Sequence, residues 1–145
     1  MKKTQFLLLA TILFFSISCK NTTEKKPEQD QPQDAIVKVK LNNGKLWEAN
    51  SETTDGINAM LQLMNNFSED ESPKSYATLK QSLVKEFKTI IQKCTMTDEA
   101  HDQLHVFIMP MRALFNGLTD SDMNIRKENF NKINAHLKTY KNYFE

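Results

Sequence analysis

YATLKQSLVKEFKTIIQKC, running from Tyr76 to Cys94, is the stretch that decides the fold. Tyr76, Leu79, Leu83, Phe87, Ile90, Ile91 and Cys94 recur at helical spacing and lie on one stripe, which over about 20 residues gives a rod of about 30 Å. Cys94 is the last member of that stripe. An amphipathic helix of this kind must bury its apolar stripe against partners, and the flanking sequence supplies three. Upstream, Thr53 or Thr54 can cap a helix carrying Ile57, Met60, Leu61, Met64 and Phe67, which the acidic, Pro-containing run Ser68 to Ser75 ends. Downstream, Thr97 caps a helix with Asp98 and Glu99 in its first turn and Leu104, Phe107, Ile108, Met111, Leu114 and Phe115 on its apolar face. Asn116-Gly117-Leu118 stops it. A last helix starts near Thr119 or Ser121 and carries Phe130, Ile133, Leu137, Tyr140 and Phe144. Four such helices with short connections predict an all-α fold, an antiparallel up-down four-helix bundle.

A short β-hairpin is expected ahead of the bundle. Val37, Val39 and Leu41 alternate with Lys38 and Lys40, and Asn43-Gly44 supplies the positive φ angles of a tight turn before Lys45-Leu46-Trp47. A lone hairpin is marginal, so it must lean on the helices, with Trp47 as the clasp or, in the alternative, as a ligand-stacking ring. Pro110 falls inside the third helix, where it removes a backbone donor and presses on the carbonyl of Val106. A kink is expected one turn beyond His105, and it either follows the curvature of the bundle or exposes a carbonyl near the histidines.

The whole chain has 145 residues, 39% of them hydrophobic and 26% charged, enough for one small domain with appendages. Its three glycines are isolated, so it contains neither a phosphate-cradling Gly-rich loop nor a G-x-S-x-G nucleophile elbow.

Residues 1–18 read as a delivery signal. Lys2 and Lys3 precede an apolar run from Phe6 to Ile17, too short for a membrane span, and Ser16-Ile17-Ser18-Cys19 stands at the cleavage point. The small residue followed by Cys19 resembles the lipobox of bacterial lipoproteins, although Ser16 replaces the usual Leu of that motif. The resemblance implies a diacylglycerol thioether on Cys19, an acylated new N-terminus and attachment to the envelope membrane through lipid. Lys20 after the Cys implies an outer-membrane destination. Residues 19–35, with two Pro and no aliphatic side chain larger than Ala, are expected to form a disordered tether. The folded domain is then 36–145.

Loss of residues 1–18 removes Lys2 and Lys3 and no acid, leaving 17 basic against 18 acidic residues and moving the net charge from +1 to −1. That balance gives no electrostatic case for nucleic acid as a partner. With Cys19 acylated, Cys94 is the one remaining thiol, and no internal disulfide can form.

The chemically dense segment is CTMTDEAHDQLH, Cys94 to His105. His101 and His105 stand one turn apart, about 60° and about 100° to one side of the core face, with Asp98, Met109 and Arg112 on the same flank. Such a pair can bind one metal, with Asp98 as a further ligand or as a carboxylate that orients an imidazole. In an up-down bundle His105 and His136 lie about 10 Å and about 12 Å from the same end, by the helical rise, so all three histidines are expected in one layer beside Cys94 and Met96. Imidazole with thiolate or thioether favours copper(I) or zinc. The bland alternative makes His101 and His105 partly buried residues hydrogen-bonded to carboxylates, with Asp98 and Glu99 serving the helix dipole. No C-x-x-C-H is present, so covalent haem attachment is excluded. Met60 or Met64 with His136 resembles the Met and His ligation of a cytochrome b bundle, which implies noncovalent haem as a further alternative.

The pattern C-T-M-x-x-x-A-H-D-Q-L-H, with N-G-K-x-W ahead of a Thr-capped helix, resembles small lipid-anchored envelope proteins of uncharacterised function over most of Leu41 to Glu145. That resemblance brings no activity with it. A thiol dyad of Cys94 with His101 or His105 lacks an oxyanion-forming turn, and a Cys on the core stripe is poorly placed for attack. The chain therefore reads as no enzyme. A non-catalytic interaction module with no metal, whose surface binds an unidentified envelope protein, fits the composition equally well.

Overall fold

The computed structural model describes residues 38–68 and 72–145. The delivery signal expected at 1–18, the lipid expected on Cys19 and the tether expected over 19–35 fall outside the described residues. The fold is all-α. In chain order the helices are α1 (Ser51–Asn65), α2 (Pro73–Lys93), α3 (Asp98–Ile108), α4 (Met111–Gly117) and α5 (Met123–Lys138), followed by a single 3-10 turn over Tyr140–Asn142. Among the described residues no helix is long and apolar enough to cross a membrane.

Each helix begins where local chemistry allows. Asn50, rather than Thr53 or Thr54, caps α1. Its carboxamide oxygen accepts from the Thr53 hydroxyl at 2.7 Å, which satisfies a hydroxyl that is fully buried. Ser72 caps α2 by accepting the Ser75 N–H at 3.1 Å, and Pro73 takes the first helical position, where its missing donor costs nothing. Asp122 caps α5 through the Asn124 N–H at 2.8 Å. The buried Arg126 ties down the α4–α5 connection by donating from Nε to the Asp120 carbonyl.

The core is continuous. Ile57, Met60 and Met64 of α1, Leu79, Leu83 and Ile90 of α2, Leu104, Phe107 and Ile108 of α3, Met111 and Phe115 of α4 and Ile133 and Leu137 of α5 all belong to it. Helix α1 packs on α2 and α5, and α4 packs on α5 and α2. The α1–α2 contact is close at Gly56, where an added Cβ would stand 2.4 Å from Cγ1 of the buried Ile90. Glycine is required there by proximity, because any side chain would displace a stiff, β-branched neighbour.

The expected third helix is two helices. Pro110 has no N–H to return to Val106. The chain turns at Met109 and Pro110, and the Arg112 N–H bonds the Met109 carbonyl at 3.2 Å instead of continuing the α3 ladder.

The expected β-hairpin is corrected, because no strand is present among the described residues. Its turn exists. Asn43 and Gly44 take φ of 50° and 85°, and Asn42 and Lys45 exchange two backbone bonds of 2.9 Å. Pairing goes no further because the flanking donors bond elsewhere: the Lys40 N–H reaches the Gln103 side-chain oxygen at 2.7 Å, and the Trp47 N–H reaches the Tyr143 carbonyl at 2.8 Å. The Glu145 N–H returns to the Trp47 carbonyl at 3.0 Å, and the Ala49 N–H bonds Glu145 at 2.9 Å, forming a parallel bridge between Trp47 and Phe144. Trp47 is buried, and its ring N–H donates to the Lys40 carbonyl at 2.6 Å.

Candidate functional site

The site begins at the end of α2. Cys94 is its C-cap, half-buried, with its N–H bonded to the Ile90 carbonyl at 2.9 Å. The connection Thr95 to Thr97 then turns the chain into α3, with Asp98 at φ 54° as the first helical residue. One turn into α3, His101 faces back toward the thiol. Its Nδ1 lies 3.6 Å from Cys94 Sγ. One turn further, the His105 ring sits 4.3 Å from the His101 ring, centroid to centroid, tilted by 42°. Both histidines are half-buried. The structure thus gathers a thiol and two imidazoles at the α2–α3 corner.

The other three candidates are engaged differently. His136 does face α3, but its Nε2 donates to the Phe107 carbonyl at 2.7 Å while its ring stacks on Phe107 at 4.4 Å. This bond fixes the neutral ring with its hydrogen on Nε2, leaving only Nδ1 as a free lone pair. The carbonyl that His136 takes up beside the kink is thus that of Phe107, not the Val106 carbonyl on which Pro110 is expected to press. Asp98 is exposed and accepts from the Thr97 hydroxyl at 2.9 Å, with no hydrogen bond or ion pair to either imidazole among the described residues. Met96 packs against the core and lines an open groove of about 850 Å³ with Trp47, Asp98 and Glu99. Met60 and Met64, the thioethers of the haem alternative, are buried members of the α1 core stripe. Among the described residues, no three His, Cys, Asp or Glu side chains are grouped as they would have to be to hold a metal ion without rearrangement.

Tyr140 is a neighbour of the thiol that the sequence did not single out as functional. It is buried, and its hydroxyl lies 3.0 Å from the Thr54 hydroxyl. Burial pushes its pKa above the usual 10.0, the Thr54 hydrogen bond opposes that shift, and the negative charge of an ionised Cys94 adds to it. The unfolded chain therefore releases this proton at lower pH than the folded one. The stability that Tyr140 contributes is fully present below pH 10.0 and falls as pH rises through that value toward the higher native pKa. Denaturant melts of Tyr140→Phe and wild type between pH 8 and pH 11 should show the wild type losing more stability across the alkaline limb. Parallel curves would refute this.

Comparison with family models, with curated proteins and with solved structures finds no match to this chain.

Proposed function

We propose that this chain is a non-catalytic protein of the bacterial envelope, anchored through lipid on Cys19 to the outer membrane, whose helical domain holds one soft metal ion, copper(I) ahead of zinc, at Cys94 and His101 with His105 beside them. The observation that carries the metal reading is the 3.6 Å separation of Cys94 Sγ and His101 Nδ1. A metal bound to a thiolate at about 2.3 Å and an imidazole at about 2.0–2.1 Å, with a tetrahedral angle between them, holds the two donors about 3.5 Å apart. Copper(I) is favoured because it is soft and is satisfied by two or three ligands, so a thiolate, one aligned imidazole and a second ring able to swing in suffice. Binding would displace the thiol proton, so affinity should rise with pH.

The finer architecture belongs to the same reading. Contacts run in a closed order, α1 to α2, α2 to α4, α4 to α5 and α5 to α1, which supports an antiparallel up-down bundle with α3 and α4 as the bent third rod. The envelope location rests on the sequence from Lys2 to Lys20 alone.

A second reading, an envelope interaction module without metal, is favoured by the lack of three grouped ligands among the described residues. Elemental analysis of untagged full-length protein separates the two. About one copper or zinc per chain, lost in Cys94→Ser and His101→Ala, reduced in His105→Ala and retained in His136→Asn, supports the metal site. Absence of metal after reconstitution with copper(I) under reducing conditions removes it and leaves the interaction module.

A further inference from the structure

His105 of α3, Met109 of the turn, and Arg112 and Asn116 of α4 follow one another at spacings of four, three and four and form one wall of a groove. Its other wall comes from Val84, Phe87, Lys88, Ile91 and Gln92 of α2. The groove encloses about 670 Å³, within the range of small-molecule sites. The eight helical rises from Val84 to Gln92 of α2, about 1.5 Å each, make it about 12 Å long, a slot rather than a spherical cavity.

Two properties distinguish it from an ordinary seam between helices. Ile91 and Met109 are 41% and 37% exposed, two of the four large hydrophobic side chains left exposed among the described residues, and both lie in this groove with the rings of Phe87 and Phe115 beneath. The groove is also cationic. Lys88 and Arg112 line it from opposite walls, no carboxylate does, and neither cation forms an ion pair or hydrogen bond among the described residues. In a chain with nearly balanced charge, an apolar slot flanked by two unneutralised cations is complementary to a molecule that is apolar along its length and negatively charged at one point.

We infer that this groove binds a fatty-acid-like carboxylate, its aliphatic chain on Phe87, Ile91, Met109 and Phe115 and its carboxylate between Lys88 and Arg112. The groove shares His105 with the proposed metal site, but the inference does not require a bound metal. Lys88 and Arg112 are not ligands there, and Cys94 does not line the groove.

The test is isothermal titration of the full-length chain with laurate below its micellar concentration. Laurate should bind saturably, and Lys88→Gln combined with Arg112→Gln should weaken it about three- to tenfold, the range for partly exposed charge contacts. Ile91→Gln should weaken it as well, and dodecyltrimethylammonium, the same chain with the opposite charge, should bind at least tenfold more weakly. Both cationic residues and Ile91 are exposed, so these variants should fold, as circular dichroism would verify. Equal affinity of laurate for wild type and the double variant, equal affinity of the two amphiphiles, or no saturable laurate binding would each overturn the proposal. Cys94→Ser should abolish copper uptake and leave laurate affinity unchanged, so that failure of one site is not mistaken for failure of the other.

Discussion

Phe107→Ala should destabilise the domain by about 3–5 kcal/mol, the cost of emptying a fully enclosed aromatic site. Phe107 has no exposed surface, and its ring is the meeting point of three others: His136 at 4.4 Å, Tyr140 at 5.6 Å and Phe144 at 5.9 Å. The two edge-on partners have the geometry in which ring quadrupoles attract, so part of the loss exceeds simple burial. The backbone of the same residue carries the carbonyl that His136 satisfies, and the His136 ring is held in line for that bond by stacking on Phe107. Phe107→Ala therefore removes packing and loosens a hydrogen bond together. Phe107→Leu should cost less than half as much, because it retains most of the apolar volume. Urea titrations read both effects. A loss below about 1 kcal/mol for Phe107→Ala would mean that the neighbouring rings collapse into the space, contrary to the dense packing described.

Removing Tyr143, Phe144 and Glu145 should have an effect of similar or greater size and leave a chain largely unfolded at 37 °C. The cut removes a nearly enclosed phenylalanine, its ring stacked 5.0 Å from Tyr140, and all three backbone bonds of the bridge to Trp47 and Ala49. It also leaves the Trp47 N–H without its acceptor. Losses of this size consume a large part of the roughly 5–15 kcal/mol by which domains are stable. Far-ultraviolet circular dichroism of the truncated chain would show reduced helix and a broad melt. A double-mutant cycle between Trp47→Ala and Phe144→Ala should give a coupling of about 0.5–3 kcal/mol, as for residues in one packed unit. Retention of a sharp melt within a few degrees of wild type would show that the bridge is incidental to the fold.

The helices were legible because their apolar residues obey a period, and a period survives small errors in boundary. The stripe Phe130, Ile133, Leu137, Tyr140, Phe144 is buried throughout, although α5 ends at Lys138, a 3-10 turn carries Tyr140 and the bridge to Trp47 carries Phe144. The Asn43-Gly44 turn was legible from dihedral chemistry alone. What could not be read was the partner of Trp47, since a backbone bond to Tyr143 leaves no trace in local pattern. Alternation at Val39 and Leu41 suggested a strand, but Leu41 is 42% exposed and has no ladder to join. The same distinction holds at the site. Cys94, His101 and His105 lie within twelve residues joined by a short connection and one helical turn, so their proximity followed from the sequence. The engagement of His136 depended on where the break at Pro110 left a carbonyl of α3, a competition for hydrogen bonds that helical periodicity cannot express.

The parallel bridge between Trp47 and Phe144 has a mechanical meaning. Traction applied through the amino-terminal side, with resistance from anything grasping the carboxyl end, draws the two bridged segments in opposite directions along one axis. Their hydrogen bonds then share the load in shear instead of peeling open singly. A polypeptide joined this way closes its own circuit, and tension entering at one end can leave by the other without first extending the helices.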